Sequence, residues 1–158
     1  MGAKNRTASY TTLKPDTRYG SLLMSKFINC MMWDGKKATA TRVVYEAMDQ
    51  IKKKMPDADP VQVFTDALNN VKPTLEVRSR RVGGANYQVP MQVKPKRAES
   101  LAMRWIIGAI RAKSGRPTHL RLAEELMAAF QRQGEAMSKR EQTIKMAEAN
   151  KAFSHFAW

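Results

Sequence analysis

Arg78-Ser79-Arg80-Arg81-Val82-Gly83-Gly84-Ala85-Asn86-Tyr87 is the stretch on which the fold turns. Three arginines run into a glycine pair, and a tyrosine follows. Apolar and polar residues alternate on both sides, the period-two pattern of two strands joined by a tight turn. The stretch reads as an antiparallel β-hairpin over about residues 74–92 with a cationic tip. Its register depends on loop parity. A two-residue loop at Gly83-Gly84 pairs Arg78 with Val89 and Arg80 with Tyr87, which mixes charged and apolar side chains on one face. A loop of three or five residues pairs Arg81 with Tyr87, Ser79 with Val89, Val77 with Met91 and Leu75 with Val93. The apolar residues then share one face, and Glu76, Arg78, Arg80, Gln88 and Gln92 share the other. Strand side chains alternate with period two, so one residue in the loop re-sorts both faces. The odd loop is expected, with an apolar base docked on the body and a free polar face and tip.

Outward from the hairpin the chain reads as helix. Ser21 caps a first helix to about Trp33, with Leu23, Phe27 and Met31 on one stripe and Asp34-Gly35 at its end. A second runs from Lys36 to about Lys54 around Ala40, Val43, Val44, Ala47, Met48 and Ile51. Asp59-Pro60 supplies an N-cap and a first-turn proline for a third, to about Val71, burying Val61, Phe64 and Leu68. After the hairpin, a fourth helix covers about 98–113 with Leu101, Trp105, Ile106 and Ala109 inward. A fifth starts near Pro117 with Leu122, Ala123, Leu126 and Phe130 inward, and stops near Gly134. A sixth is expected from about Ser138, where Ser138 and Glu141 have capping-box spacing, to about Asn150. An aromatic tail follows, Phe153, Phe156 and Trp158. The expected architecture is mainly α: a six-helix body with one protruding two-stranded antiparallel hairpin between helices three and four. Residues 1–19 read as an extended basic arm, and 20–158 as one helical domain that includes the hairpin and a tail at 151–158.

The 158 residues hold 28 Lys and Arg against 14 Asp and Glu, a net charge of +14. Such an excess repels itself in a folded chain and calls for a polyanionic partner. A membrane surface fits less well, because no apolar run approaches the roughly 18 residues of a membrane span. Cys30 is the one cysteine, so disulfide frameworks and cysteine metal sites are excluded and a reducing, cytoplasmic setting fits. His119 and His155 stand alone, with neither metal-ligand spacing nor a nucleophile. Glu124 and Glu125 adjoin on a helix and point apart, a poor acid–base pair. No cofactor is expected. The eleven methionines and Trp105 read as core filler.

Charge density is highest over residues 72–97, where seven basic side chains meet one acid, Glu76, for a net +6. Phosphates reward such density, because each one neutralised releases counterions. Arginine adds a planar fork that binds phosphate bidentately. Tyr87 is placed either to stack on an unpaired base, a contact worth about 1–3 kcal/mol, or to pack within the hairpin. The bland reading of the cluster is a solvated charged edge that discourages strand pairing. Lys36-Lys37 sits at a helix N-terminus, where cations are unfavourable, and so suits phosphate contact; Lys52-Lys53-Lys54 sits at a C-terminus and complements the dipole.

Beyond chemistry, the residues resemble a known family. Residues 73–90, Pro-Thr-Leu-Glu-Val-Arg-Ser-Arg-Arg-Val-Gly-Gly-Ala-Asn-Tyr-Gln-Val-Pro, closely resemble the hairpin signature of the universal small-subunit ribosomal protein number seven family, bacterial type. Asp34-Gly35-Lys36-Lys37, Leu101-Ala102-Met103-Arg104-Trp105 and Met146-Ala147-Glu148-Ala149-Asn150-Lys151-Ala152-Phe153 resemble three further blocks in the same order. The resemblance covers nearly the whole chain. It implies a structural constituent of the small ribosomal subunit, without catalysis, that binds the 3′ major domain of 16S rRNA and nucleates assembly of the subunit head. It places the hairpin near the E-site tRNA, the body near the mRNA exit path, and the small-subunit proteins numbers nine and eleven alongside. It places Arg78, Arg80 and Arg81 in the RNA-contacting hairpin and Lys36 and Lys37 in a basic block; together with Lys4 and Arg6 of the arm and Lys94, Lys96 and Arg97 of the charge-dense stretch, these are the expected rRNA-binding residues. The tRNA-proximal tip is Val82, Gly83, Gly84, Ala85 and Asn86. Where bacterial relatives often begin with an arginine cluster, this chain has only Lys4 and Arg6 in its first ten residues. The alternative is a helical DNA-binding regulator, with helices four and five as a helix-turn-helix around Lys113-Ser114-Gly115-Arg116. Positive charge spread over arm, hairpin and helices suits folded RNA better than a single recognition helix.

Overall fold

In the computed structural model, residues 12–157 are described. Among these residues, six α-helices surround one apolar core: α1 (Leu22–Met31), α2 (Lys37–Lys54), α3 (Pro60–Val71), α4 (Pro95–Ala112), α5 (Thr118–Phe130) and α6 (Glu135–Ala149). The strands β1 (Leu75–Val82) and β2 (Ala85–Gln92) form an antiparallel pair between α3 and α4, and a 3₁₀ segment (Lys151–Phe156) follows α6. The expected architecture is therefore the observed one. The apolar stripes read from the sequence meet in the core. Phe27 of α1 and Phe64 of α3 are fully buried and pack edge to face at 5.3 Å, and Val44, Met48 and Ile51 of α2 are buried beside them. Trp105, Leu23 and Phe130 are only half-buried at its margin. Met24, Met31, Met48, Met103 and Met137 fill the core as expected, whereas Met146 is 55% exposed.

Local chemistry sets the helix ends. The Met24 N–H donates to Ser21 Oγ at 3.3 Å and the Val61 N–H to Asp59 Oδ1 at 3.3 Å, the caps read from the sequence. Helix α4 starts three residues earlier than expected, at Pro95, whose missing N–H would have no helical partner there in any case. Helix α6 also starts early, at Glu135, and the Ser138–Glu141 capping box does not form. Ser138 Oγ instead donates to the Gly134 carbonyl. The cap comes from another helix: Glu125 of α5 is 1% exposed, accepts the Ala136 N–H at 2.9 Å and takes the Lys113 ammonium at 3.1 Å. Gly134 makes this approach possible: its φ is +97°, and a Cβ on this residue would lie only 2.9 Å from Glu125 Oε1. Glu124, its neighbour, points outward to Arg116 at 2.7 Å, so the two acids do diverge.

The hairpin register corrects the expectation. The loop has two residues, and the pairs are Val82 with Ala85, Arg80 with Tyr87, Arg78 with Val89 and Glu76 with Met91. Gly83 and Gly84 have φ of +57° and +86°, and positive φ at both central positions is what the tightest hairpin loop needs. The gradient along the hairpin is as expected. Leu75, Val77, Pro90 and Met91 near the base are half-buried, and Arg81, Gly83, Gly84, Ala85 and Asn86 near the tip are exposed. The sorting across it is not. One face carries Glu76, Arg78 and Arg80 together with Tyr87, Val89 and Met91. That mixed face is stable because each charge on it finds a hydrogen-bonding partner. The hairpin packs on α6 and on the 3₁₀ segment.

Of the expected arm, residues 1–11 lie outside the described residues. Residues 12–19 are tied to the body: buried Asp16 accepts the Tyr45 hydroxyl at 2.7 Å and the Tyr19 N–H at 3.0 Å. Arg18 forks onto Asp49 at 2.6 and 3.3 Å.

Candidate nucleic-acid interface

Glu76 organises the base of the hairpin. It is the single acid of the basic stretch and is 7% exposed. The Arg78 Nε donates to it at 2.8 Å, and the Arg97 Nε, from the first turn of α4, donates to both its oxygens at 2.7 and 2.8 Å. Burial pushes the Glu76 carboxyl up, but the hydrogen bonds and charges of Arg97 and Arg78 outweigh it and hold the group below the ordinary carboxylate value. The Glu76 hydrogen bond in turn raises Arg97 above its ordinary value. Two of the expected phosphate-binding arginines thus share one buried counter-charge.

Arg80 is engaged differently. Its Nη1 donates to the Phe156 carbonyl, so the 3₁₀ segment folds back across the mixed face. Tyr87 lies in the same contact, with ring centroids 4.8 Å from Phe156 and 5.4 Å from Phe153. Neither a free base platform nor packing within the hairpin alone describes it. The structure gives Tyr87 to the aromatic tail, opposite Arg80 rather than Arg81. No sequence signal links the tail to the hairpin, because the contact spans almost half the chain.

The remaining expected residues are exposed. Among the described residues, the side chains of Arg81, Lys94, Lys36 and Lys37 have no ion pair or hydrogen bond. Lys94 caps α4 and Lys36 caps α2, and neither helix has an acid in its first turn or a side-chain cap bond. Lysines at uncapped N-termini oppose the helix dipole, while the free N–H groups there suit an anion. Lys96 and Arg97 continue the cluster on α4. The expected residues therefore fall into two groups on separate elements, the hairpin with the start of α4, and the turn before α2. Lys4 and Arg6 lie outside the described residues. The tip, Val82 to Asn86, carries no charge of its own and is exposed except for half-buried Val82.

Sequence reasoning missed an aromatic–cation pair beside the second of these groups. Trp33, in the turn after α1, is 64% exposed, and the Arg111 guanidinium lies 4.9 Å from its ring centroid. A tryptophan two residues beyond the last inward position, beside Asp34-Gly35, was the available signal. The helix-turn-helix alternative loses its recognition helix: α5 packs against α2, α3, α4 and α6, and Arg121 near its start is bonded to the Ile110 and Lys113 carbonyls. Among the described residues no cluster of side chains could hold a metal ion, and no helix is long and apolar enough to cross a membrane.

The sequence profile of ribosomal protein S7p/S5e matches residues 3–151. The chain is 58% identical over 153 residues to the small ribosomal subunit protein uS7 of Rhodopirellula baltica, covering 96% of this chain and 98% of that one. It is 54% identical over 155 residues to the protein of that name from Thermotoga neapolitana, covering 98% and 99%. It is 53% identical over 153 residues to the one from Variovorax paradoxus, covering 97% and 98%.

Proposed function

Because this chain belongs to the ribosomal protein S7p/S5e family, and is a structural, non-enzymatic ribosomal protein, we propose that it is a primary binder of 16S rRNA in the small subunit. It binds the 3′ major domain and nucleates assembly of the subunit head. Its hairpin reaches toward the E-site tRNA with the Gly83-Gly84 tip, its body borders the mRNA exit path, and small-subunit proteins nine and eleven are its neighbours. The observation that supports the rRNA contact is the set of exposed cations without a partner among the described residues, Arg81, Lys94, Lys36 and Lys37, two of them at uncapped helix N-termini. Arg78 and Arg97 contribute less net field, because Glu76 offsets part of their charge. Arg80 contributes through its placement beside the tip.

The test is titration of a 3′ major-domain transcript over a salt series. Arg81→Ala is expected to weaken binding and to reduce the salt slope by about one, the signature of one lost phosphate contact. Arg78→Ala is expected to change the slope by less. Equal slopes for the wild type and the Arg81→Ala, Lys94→Ala double variant would remove these residues from the interface. Tighter binding to duplex DNA than to the transcript would overturn the reading as a whole.

A further inference from the structure

We propose that Trp33 and the pocket beside it hold one unpaired nucleotide of the bound RNA, its base stacked on the indole and its phosphate among the surrounding cations. This rests on the rRNA-binding reading above. The pocket, about 290 Å³ and open to solvent, lies between the turn before α2 and the junction of α4 with α5. Trp33, Lys36, Thr39, Arg111, Thr118 and Arg121 line it, and no acid does. Trp33 is the most exposed of the large apolar side chains among the described residues; Leu22 and Met146 are 43% and 55% exposed.

The ring is nevertheless held in place. Arg111 lies 4.9 Å from its centroid and donates from Nη2 to the Met31 carbonyl at 3.0 Å, which fixes the guanidinium against the indole. A cation–π contact of this kind at an exposed site is weak, about 0.5–1 kcal/mol, too little to explain leaving an indole in water. Held at one side and exposed for most of its area, the indole is a prepared stacking surface. Every base presents a π-face, and such stacking tolerates any sequence.

The charge around it selects the same ligand. Lys36 is exposed and has no side-chain partner among the described residues. Arg121 is turned inward onto the Ile110 and Lys113 carbonyls and Thr118 Oγ1, and its Nε is buried with no partner among the described residues. Three cations and an aromatic face, with no acid among them, match a nucleotide, which brings an anion and a π-system together. An acidic protein segment would supply the anion and leave the indole unused.

Anisotropy titration of the 3′ major-domain transcript with full-length chain tests this. Trp33→Ala is expected to weaken binding roughly ten- to a hundredfold, with the salt slope unchanged, because a stacked base carries no charge. Trp33→Phe is expected to recover most of the loss. Lys36→Ala is expected to lower the slope by about one. Trp33 is exposed, so Trp33→Ala should keep the wild-type melting temperature. Wild-type affinity in Trp33→Ala, or a loss that Trp33→Phe does not recover, overturns the stacking site while leaving the rRNA reading intact. Failure of the wild-type chain to bind the transcript overturns both.

Discussion

Phe64 and Glu76 are both nearly withdrawn from water, yet they fix their surroundings in different ways. Phe64 sits in the helical body, where it meets Phe27 and the buried faces of neighbouring helices. Its position follows from area removed from water, a force without direction that many side chains share. Glu76 sits under the hairpin, where two arginines from different elements converge on one carboxylate. Its position follows from directed hydrogen bonds between charges, and few residues share the task. A body of the first kind depends little on most of its single polar contacts. A hairpin of the second kind depends on a handful of them, and its tip has almost none.

The sharpest break in this contrast comes from the core. Phe64→Ala is expected to destabilise the chain by about 3–5 kcal/mol, read as a lower denaturation midpoint. A loss near 1 kcal/mol would mean that the body is not held by packing. Glu125→Ala comes next, because it borrows the hairpin's physics inside the body. It strips the Ala136 N–H of its acceptor in a buried place, with an expected loss of about 2 kcal/mol. Hydrogen exchange should show the first turn of α6 opening first, and uniform loosening of all helices would refute the cap assignment.

Glu76→Gln is expected to cost about 1 kcal/mol at neutral pH, and its pH dependence is more telling. The folded chain holds this carboxyl below its ordinary value. Its contribution is therefore complete above the unfolded-chain value of about 4.3 and is lost as pH falls through the lower, folded value. The gap in melting temperature between the wild type and Glu76→Gln should stay constant from pH 7 to 5 and close in stronger acid. A gap that closes already between pH 7 and 5 would contradict the clamp. Gly83→Ala is expected to have the smallest effect. It places a side chain at φ +57° and costs the turn about 1 kcal/mol. The core should melt at an almost unchanged temperature while amides of β1 and β2 exchange faster.

The same division explains what could be read from residues alone. The helices were legible because apolar positions such as Val44, Met48 and Ile51 recur with the helical period, and because Ser21 and Asp59 cap locally. The start of α6 was not, because its cap arrives from Glu125, a residue on another helix. The hairpin's existence and its base-to-tip gradient were legible from alternation and from the glycine pair. Its register was not, since the rule that gathers apolar residues on one face assumes that charges on the buried face go unpaired. Here Glu76 pairs with Arg78 and Arg97, and Arg80 meets the Phe156 carbonyl. These directed contacts outweigh the pattern. Among the candidate site residues, Lys36 and Lys37 could be found by their opposition to the helix dipole, and Lys94 by the charge density around the hairpin, not by its place at the start of α4. The Trp33–Arg111 pair could not, because those residues are far apart in sequence and adjacent only in space.

The two-glycine loop also governs how much room the end of the hairpin needs. A helix with its side chains is about 10–12 Å across, whereas two paired strands stand about 5 Å apart. With no side chain at Gly83 or Gly84, the last turn adds almost no girth to that ribbon. At that end, therefore, the clearance is set by bare backbone, and the loop can enter a crevice too narrow for a helix with its side chains. Even a methyl group at the loop would thicken that end of the ribbon.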